Sequence, residues 1–384
     1  MTRKFTAVLA AVLACAGTAV FGGPAYADEI RDQQWHLEYL KVAEAQKVST
    51  GKGVTVAVID SGVSDHPDLS GSVLEGADFF EKGGDGRIDK SGHGTAVAGL
   101  IAAHGKNGDG ALGIAPEAKI LPIRVLGAKG SIDNRSPDSE KLGKDVALAL
   151  DYAVKHGAKV INVSLSVRQT GALTTALSAA AAADVVVVAA AGNRPRDFAI
   201  IAPAFSSDAM AVGAIGRSGS IADVTVTGAA MDISAPGEEM TVLGKDGRYE
   251  SDIRGTSLSS PIVAGAAALL RSKYPDMKAT EVVERLESTA VDKGDPGVDP
   301  VYGHGVIDIV AALKGGPGAG EPSSAPATSA STSDAATPSA SAALPEVESS
   351  SSNAGLIVGG IALVVLLGGA GLFFALRSRS RPGS

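Results

Sequence analysis

The chain has 384 residues, 45% of them hydrophobic and 20% charged, with a formal net charge of −8. This length allows one large domain with appended segments, or two smaller domains. The acidic balance and the lack of a basic block in the central sequence argue against a nucleic-acid-binding protein. The only cysteine, Cys15, lies in a segment that we expect to be removed, so the mature protein would contain no disulfide.

The first 27 residues have the layout of a cleaved export signal. Arg3 and Lys4 give a positive start, an apolar run follows, and Ala25-Tyr26-Ala27 supplies small residues for cleavage. An alternative is lipid attachment at Cys15, which ends the sequence Val12-Leu13-Ala14-Cys15. We interpret residues 1–27 as a signal peptide and expect an exported protein.

Residues 28–314 are predicted to form one domain in which strands and helices alternate. Short apolar, β-branched runs are typical of strands buried on both faces, and segments with helical spacing separate them. Such repeats predict a doubly wound, mostly parallel α/β sheet with helices on both faces, whose ligands bind beyond the carboxyl ends of the strands. In chain order, the predicted elements are the strand Val54–Ile59, the helix Thr95–Ala103, the strand Ile120–Val125, the helix Ser139–His156, the strand Val160–Leu165, the helix Ala172–Ala183, the strand Val185–Ala189 and the helices Leu258–Tyr274 and Thr280–Thr289.

The last 70 residues carry a linker and a membrane signal. Residues 315–353 are rich in Ser, Ala, Pro and Thr without an apolar period, which predicts a disordered linker. Residues 354–376 are apolar, uncharged and long enough to span a bilayer as a helix. Arginines in the tail, residues 377–384, mark the cytoplasmic side. We therefore expect a single-pass cell-membrane protein with its large domain outside the cytoplasm.

Two polar motifs adjoin predicted secondary structure in the first half of the domain. Asp60 directly follows the apolar run Val54–Ile59 and precedes Ser61-Gly62, so its carboxylate is rigidly placed at the end of a strand. His93 lies between Gly92 and Gly94, just before a predicted helix. Taken singly, the first motif is more often a plain turn and the second an ordinary loop.

Two further motifs lie in the second half. Ser257 opens an alanine-rich helix, with Pro261 expected in the first helical turn. The unpaired N–H groups and partial positive charge of a helix N-terminus would stabilise an oxyanion beside that hydroxyl. Asn193 directly follows a buried strand, where its side-chain amide offers a second donor. Taken alone, Ser257 could be a simple helix cap.

The four motifs together are far more specific than any one of them. Their order (Asp, His, Asn, Ser) and their positions resemble the subtilisin family over about Trp35 to Leu313. Further segments support the resemblance, namely Gly113-Ile114-Ala115-Pro116, Ile161-Asn162-Val163-Ser164-Leu165-Ser166, Ser234-Ala235-Pro236-Gly237 and Gly303-His304-Gly305-Val306-Ile307-Asp308.

The resemblance implies a role for each motif. Ser257 would attack the peptide carbonyl, His93 would move its proton, and Asp60 would orient the imidazole. Asn193 and the Ser257 N–H would bind the oxyanion. Residues Ser164, Leu165 and Ser166 are similar to the family's substrate-pairing strand, to which an extended peptide adds.

The chemistry implied by the resemblance needs no cofactor. No histidine of the sequence has metal-ligand spacing, and we predict no metal site. Asp85 and Asp89 lie in a glycine-rich loop, where turn formation is the favoured explanation and structural calcium the alternative.

A narrower resemblance is to the mycosins, membrane-anchored subtilases of type VII secretion systems. It rests on the export signal, Arg31-Asp32-Gln33-Gln34-Trp35, Gly83-Gly84-Asp85-Gly86, the linker and the terminal helix. The missing disulfide cysteines depart from the mycosin pattern. The implied partners are protein or peptide substrates, the membrane and type VII machinery. The alternative function is a subtilase-shaped scaffold that stabilises a secretion complex.

Three narrower expectations concern this domain. The stretch from Asp28 to Thr50 is too short for an independent inhibitory prodomain. Leu258 occupies the position where the family often has an oxidation-sensitive methionine. The segment from Arg194 to Pro203 contains no glycine, which predicts a pocket for small residues if Ile200 or Ile201 faces inward.

Overall fold

The computed structural model describes residues 30–81, 83–106, 109–128 and 138–315. They belong to the first of the chain's two compact units, residues 1–323. Within these ranges, no helix is both long and apolar enough to cross a membrane. The predicted signal peptide (1–27), transmembrane helix (354–376) and tail (377–384) lie outside the described residues, as does the linker beyond Gly315.

A seven-stranded sheet forms the centre of the domain, with strand order β2-β5-β1-β6-β7-β8-β9. Every neighbouring pair is parallel, which confirms the predicted doubly wound α/β architecture. Two antiparallel hairpins, β3–β4 and β10–β11, lie outside this sheet. The strands are β1 Thr55–Asp60, β2 Ala77–Asp78, β3 His104–Lys106, β4 Asp109–Leu112, β5 Lys119–Arg124, β6 Val160–Val163, β7 Val186–Ala190, β8 Met210–Ile215, β9 Ile233–Pro236, β10 Met240–Leu243 and β11 Tyr249–Ile253.

Helices cover both faces of this sheet, since residues on one strand alternate between two cores. Val56 and Val58 of β1 pack with the first core, which includes residues of α3 and α6. Ala57 and Ile59 pack with the second core, which includes residues of α4 and α5. The helices are α1 Trp35–Tyr39, α2 Val42–Gln46, α3 His93–Ala102, α4 Asp138–Lys155, α5 Gly171–Ala182, α6 Thr256–Lys273, α7 Ala279–Ser288 and α8 Ile309–Lys314.

Three element boundaries differ from the prediction near the polar motifs. Helix α3 begins at His93 and α6 at Thr256, each two residues earlier than expected, because Gly92 and Gly255 serve as the caps. Pro261 therefore lies inside α6, beyond its first turn. Strand β6 ends at Val163, two residues before the predicted end.

Candidate active site

The polar motifs meet at one edge of the sheet. Asp60 ends β1, Asn193 follows β7 and Ser164 follows β6. These strands are parallel, so their carboxyl ends share an edge. Ser257 reaches the same edge from the first turn of α6, since the Ser257 carbonyl accepts a hydrogen bond from Ser164 Oγ at 2.8 Å.

Asp60 and His93 form a direct pair. His93 Nδ1 lies 2.8 Å from Asp60 Oδ1, and the carboxylate is fully buried. The backbone N–H of Ser61 also donates to Asp60 Oδ1, at 2.7 Å. A side chain at Gly94 would strike the Gly62 carbonyl at 2.0 Å, so glycine is required for α3 to bring His93 this close.

Electrostatics favour the protonated form of the His93 ring. Burial lowers the pKa of His93, but the Asp60 charge and hydrogen bond raise it, and the net pKa lies above the ordinary value of 6.5. The side chain is 28% exposed, so one side of the ring stays open to a ligand. A ring held this way can accept a proton at Nε2 while Nδ1 donates to the carboxylate.

At the start of α6, Gly255 leaves room for the Ser257 hydroxyl. Gly255 has a φ of 152°, and a side chain there would lie 3.2 Å from Ser257 Oγ. Pro261 lacks the N–H that would bond the Ser257 carbonyl within the helix. Ser164 Oγ replaces that donor at 2.8 Å, which ties the Ser257 backbone to the segment after β6.

Asn193 has its side-chain amide held in one orientation. Its Oδ1 accepts from the Thr256 backbone N–H at 2.9 Å and from Thr256 Oγ1 at 3.2 Å. A side chain at Gly255 would lie 3.5 Å from both Nδ2 and Oδ1 of Asn193 and 3.2 Å from Ser257 Oγ. The amide group therefore lies near that hydroxyl, and Nδ2 has two hydrogens to donate.

Within the described residues, no hydrogen bond joins Ser257 Oγ to the His93 ring. Such contacts are often long in unliganded active sites and tighten when substrate binds. The site thus contains a half-buried hydroxyl, an imidazole oriented by a buried carboxylate, and an amide beside the hydroxyl.

The predicted substrate-binding residues have different surroundings. Ser164 and Leu165 are buried, with Leu165 packed in the second core. Ser166 is half-buried, and its Oγ lies 3.4 Å from Asp197 Oδ2. The backbone N–H of Val167 donates to the Ala202 carbonyl at 2.9 Å. This segment therefore lies beside the end of the Arg194–Pro203 segment.

Sequence reasoning missed two fully buried polar residues behind the nucleophile. Ser260 Oγ donates to Asn162 Oδ1 at 2.6 Å, and Asn162 Nδ2 donates to Ser164 Oγ at 2.9 Å. With the bond from Ser164 to the Ser257 carbonyl, they form a continuous chain. Asn162 in the otherwise apolar strand Val160–Val163 was the available signal, because a buried amide needs partners.

The two carboxylates considered for calcium both bind protein donors. Asp85 Oδ1 accepts from the Arg87 backbone N–H at 3.1 Å, and Arg87 pairs with Asp85 Oδ2 at 2.8 Å. Asp89 accepts from backbone and hydroxyl groups next to His93. Across the part of the chain that the structure describes, no group of three or more His, Cys, Asp or Glu residues could hold a metal ion.

The sequence profile of the subtilase family (peptidase S8) matches residues 51–305, which include all four motifs. This chain belongs to the subtilase family. The predicted family is confirmed, and with the relatives described next it makes the protein a serine endopeptidase.

Named relatives are found among both mycosins and subtilisins. Mycosin-1 of Mycolicibacterium smegmatis is 32% identical over 329 residues, which cover 73% of each chain. Subtilisin Savinase of Lederbergia lenta is 38% identical over 266 residues, which cover 69% of this chain and 92% of that protein. This subtilase is therefore related to the mycosins as well as to the subtilisins.

Solved structures agree with the fold. The crystal structure of MycP1 from Mycobacterium smegmatis matches with a TM-score of 0.66 and 31% identity, covering 73% of this chain and 84% of that one. MycP3 protease from the type VII (ESX-3) secretion system matches with a TM-score of 0.63 and 33% identity, covering 73% and 87%. Both matches confirm the subtilisin-like α/β fold.

Proposed function

We propose that Asp60, His93 and Ser257 form the catalytic triad of this endopeptidase. Ser257 Oγ attacks the peptide carbonyl while His93 accepts its proton and then returns it to the leaving amine. Asp60 keeps the proton of the imidazole on Nδ1 and stabilises the imidazolium. The observation that carries the proposal is the 2.8 Å contact between His93 Nδ1 and the buried Asp60 Oδ1.

The oxyanion of the acyl-transfer step would be bound by Asn193 Nδ2 and the Ser257 N–H. The bond from Thr256 to Asn193 Oδ1 supports this role, because it leaves Nδ2 as the donor facing the nucleophile. Loss of the equivalent donor in the relative subtilisin costs about 3–4 kcal/mol of transition-state stabilisation. We expect the same order of loss for Asn193→Ala.

Residues Ser164, Leu165 and Ser166 would bind substrate through their backbone. An extended peptide adds as a strand, and the backbone supplies its hydrogen bonds. The burial of the Ser164 and Leu165 side chains is compatible with this mode, since backbone pairing does not require exposed side chains. No cofactor takes part in these steps.

We further propose that the enzyme is exported and held in the cell membrane by residues 354–376, with its catalytic domain outside and its C-terminus in the cytoplasm. Its substrates would be exported proteins of a type VII secretion system. The sequence signals support the anchoring, and kinship with Mycosin-1 supports the secretion link. One matched structure is described as a serine protease that is an essential component of the type VII (ESX-1) secretion system.

The triad is tested with full-length protein in detergent. Wild type should hydrolyse peptides and react with a fluorophosphonate, whereas Ser257→Ala should do neither. Ser218→Ala, which removes an exposed hydroxyl, is the matched control and should retain full activity. Combining Ser257→Ala with His93→Ala should add little, because the residues act as a unit. Full hydrolysis by Ser257→Ala would refute the assignment.

A scaffold role remains the second candidate, since the matched MycP1 is described as a component of its secretion system. The two functions separate in cells that carry Ser257→Ala in place of wild type. Normal secretion with unprocessed substrates would assign proteolysis and scaffolding to separate roles. Lost secretion with an intact complex would show that secretion requires proteolysis in addition to scaffolding.

A further inference from the structure

A second buried carboxylate lies behind the imidazole. Asp89 is 5% exposed and accepts hydrogen bonds from both sides of His93. Its Oδ1 accepts from the backbone N–H groups of Ser91 and Gly92 at 3.0 and 2.8 Å. Its Oδ2 accepts from the Thr95 backbone N–H at 2.9 Å and from Thr95 Oγ1 at 2.8 Å. One carboxylate thus fixes Ser91 and Gly92, which precede His93, and Thr95, which lies two residues after it.

The Ser61 hydroxyl connects this carboxylate to Asp60. Ser61 Oγ lies 2.9 Å from Asp89 Oδ1 and 3.1 Å from Asp60 Oδ1. It also accepts a hydrogen bond from the Gly94 N–H at 3.0 Å. A hydroxyl has a single proton, so it can donate fully to only one of the two carboxylates. The shorter contact assigns that proton to Asp89.

We propose that Asp89 is a positioning residue of the active site, which fixes the His93 backbone and draws the Ser61 proton away from Asp60. The negative charge of Asp60 then remains available to stabilise the protonated imidazole of His93. The proposal rests on the proposed role of His93 as general base. Asp89 contacts neither substrate nor the reacting atoms, and it acts through Ser61 and His93.

The charges around His93 determine the direction in which removal of Asp89 should shift the pKa of His93. Burial lowers the pKa of His93, whereas Asp60 and then Asp89 raise it, and Arg196 lowers it. Removing the Asp89 charge should therefore lower the pKa of His93. A carboxylate that only capped the loop would affect stability without lowering the kcat of the folded enzyme.

The test is Asp89→Asn in the full-length enzyme, with kcat/KM measured across pH. A general base must be unprotonated, so activity is lost as pH falls through the pKa of His93. We expect this acid limb to move to lower pH, and kcat to fall about tenfold or more with little change in KM. An unmoved acid limb in folded Asp89→Asn enzyme would overturn the proposal.

Asp85→Asn is the matched control, because it makes the same chemical change in the same glycine-rich loop. Within the described residues, the side chain of Asp85 is hydrogen-bonded only within its own turn, to Arg87. Its pH profile and kcat should equal those of wild type. If Asp85→Asn shifted the acid limb as much as Asp89→Asn, the shift would come from the overall charge of the loop. That result would refute a specific role for Asp89.

Ser61→Ala keeps the proposal testable if Asp89→Asn does not fold. This change removes the hydroxyl between the carboxylates, so their negative charge is less compensated and the pKa of His93 should rise. The acid limb should then move to higher pH, opposite to the expected effect of Asp89→Asn. No shift in Ser61→Ala would count against the coupling.

An NMR titration separates this proposal from the proposed function. The pKa of the His93 ring is measured in a Ser257→Ala background, where no hydrolysis is required. A lower pKa with Asp89→Asn supports the positioning role even if the triad assignment fails. An equal pKa rejects the positioning role even if the triad is correct.

Discussion

At the residue scale, the His93 imidazole has one protected and one open side. Asp60 is fully buried, whereas 28% of the His93 side chain is exposed. The buried carboxylate stabilises positive charge on the ring, and the open side leaves Nε2 for the nucleophile. This asymmetry suits a base that must hold a proton briefly and release it to a leaving group.

The first prediction is the pH dependence that follows from the Asp60–His93 pair. The pKa of His93 is raised above the ordinary value of 6.5. The kcat/KM should therefore fall as the pH decreases through this pKa, which is higher than that of free histidine. Asp60→Asn should reduce kcat by about 10⁴-fold and move the acid limb of the remaining activity to lower pH. A pH–rate series on both proteins measures this. An acid limb at or below the pKa of free histidine in wild type would contradict it.

The second prediction is tolerance to peroxide. Leu258 directly follows the nucleophile, is 1% exposed and has no sulfur to oxidise. The methionines Met210, Met231 and Met240 are buried in the cores. Activity should survive a peroxide exposure that inactivates the variant Leu258→Met. Equal loss in both proteins would show that another residue is the sensitive one.

The sequence could predict the site residues that carry their own local signal. Asp60, His93 and Ser257 lie within two residues of a glycine and at element ends, so pattern and order predict them. Asp89 and Asn162 could not be assigned in this way. Their roles depend on partners elsewhere in the chain: Ser61, 28 residues from Asp89, and Ser260, 98 residues from Asn162.

At the element scale, Pro261 and Ser164 together determine how the Ser257 carbonyl is hydrogen-bonded. Pro261 inside α6 leaves the Ser257 carbonyl without a helical donor, and Ser164 after β6 supplies one. The chain then continues to Asn162 and Ser260, all within the buried interior. The position of the nucleophile therefore depends on the central sheet as well as on its own helix.

The third prediction tests this chain. Asn162→Ala would leave the buried Ser260 hydroxyl without its acceptor, and each such group costs about 1–3 kcal/mol. The free energy of unfolding should fall by this amount, and kcat should fall because Ser164 and Ser257 lose support. Denaturant titration and kinetics measure both. Gln169→Ala, which truncates an exposed amide, should change neither.

The fourth prediction concerns the segment from Arg194 to Pro203. Ile200 packs in the second core, whereas Ile201 is half-buried beside the segment that carries Ser166. A branched side chain there would leave room only for small residues before the cut bond. A peptide library should show preference for Ala or Ser, and Ile201→Gly should broaden it. Preference for Phe, Tyr or Leu in wild type would refute the small pocket.

The segment from Arg194 to Pro203 carries two arginines, Arg194 and Arg196. The Nε of Arg194 donates to the Thr225 carbonyl at 3.1 Å. Arg196 instead pairs with buried Asp197 at 2.9 Å and lowers the pKa of His93. Any preference for acidic groups near the cut bond should therefore depend on Arg196.

Strands and helices with a continuous apolar pattern could be predicted from the sequence, whereas strands whose pattern is interrupted could not. Strand β8 contains Gly213 and β9 contains Pro236, so neither presents a continuous β-branched run. Hairpin β10–β11 pairs a buried strand with a mostly exposed one, Tyr249–Ile253. Each of these strands forms by pairing with another strand, which its own local pattern does not report.

At the scale of the whole molecule, the described N-terminal residues are part of the domain. Val42 and Ala45 of α2 are fully buried in the first core. Gln46 Nε2 donates to the Gly113 carbonyl at 2.8 Å, and Gln34 exchanges two hydrogen bonds with Leu112. This segment therefore stabilises the catalytic domain and is not expected to act as a removable inhibitor.

The last prediction tests that conclusion with Trp35→Ala. Trp35 is 8% exposed, and its Nε1 donates to the Glu238 carbonyl at 3.1 Å, just after β9. Truncating a buried tryptophan costs about 3–5 kcal/mol, so the denaturation midpoint should fall clearly. The kcat of the protein that remains folded should not rise, because no contact described for Trp35 reaches His93 or Ser257. Glu38→Ala, an exposed position on the same helix, is the control and should leave stability within about 0.5 kcal/mol. Higher activity in Trp35→Ala would instead identify the segment as an inhibitor.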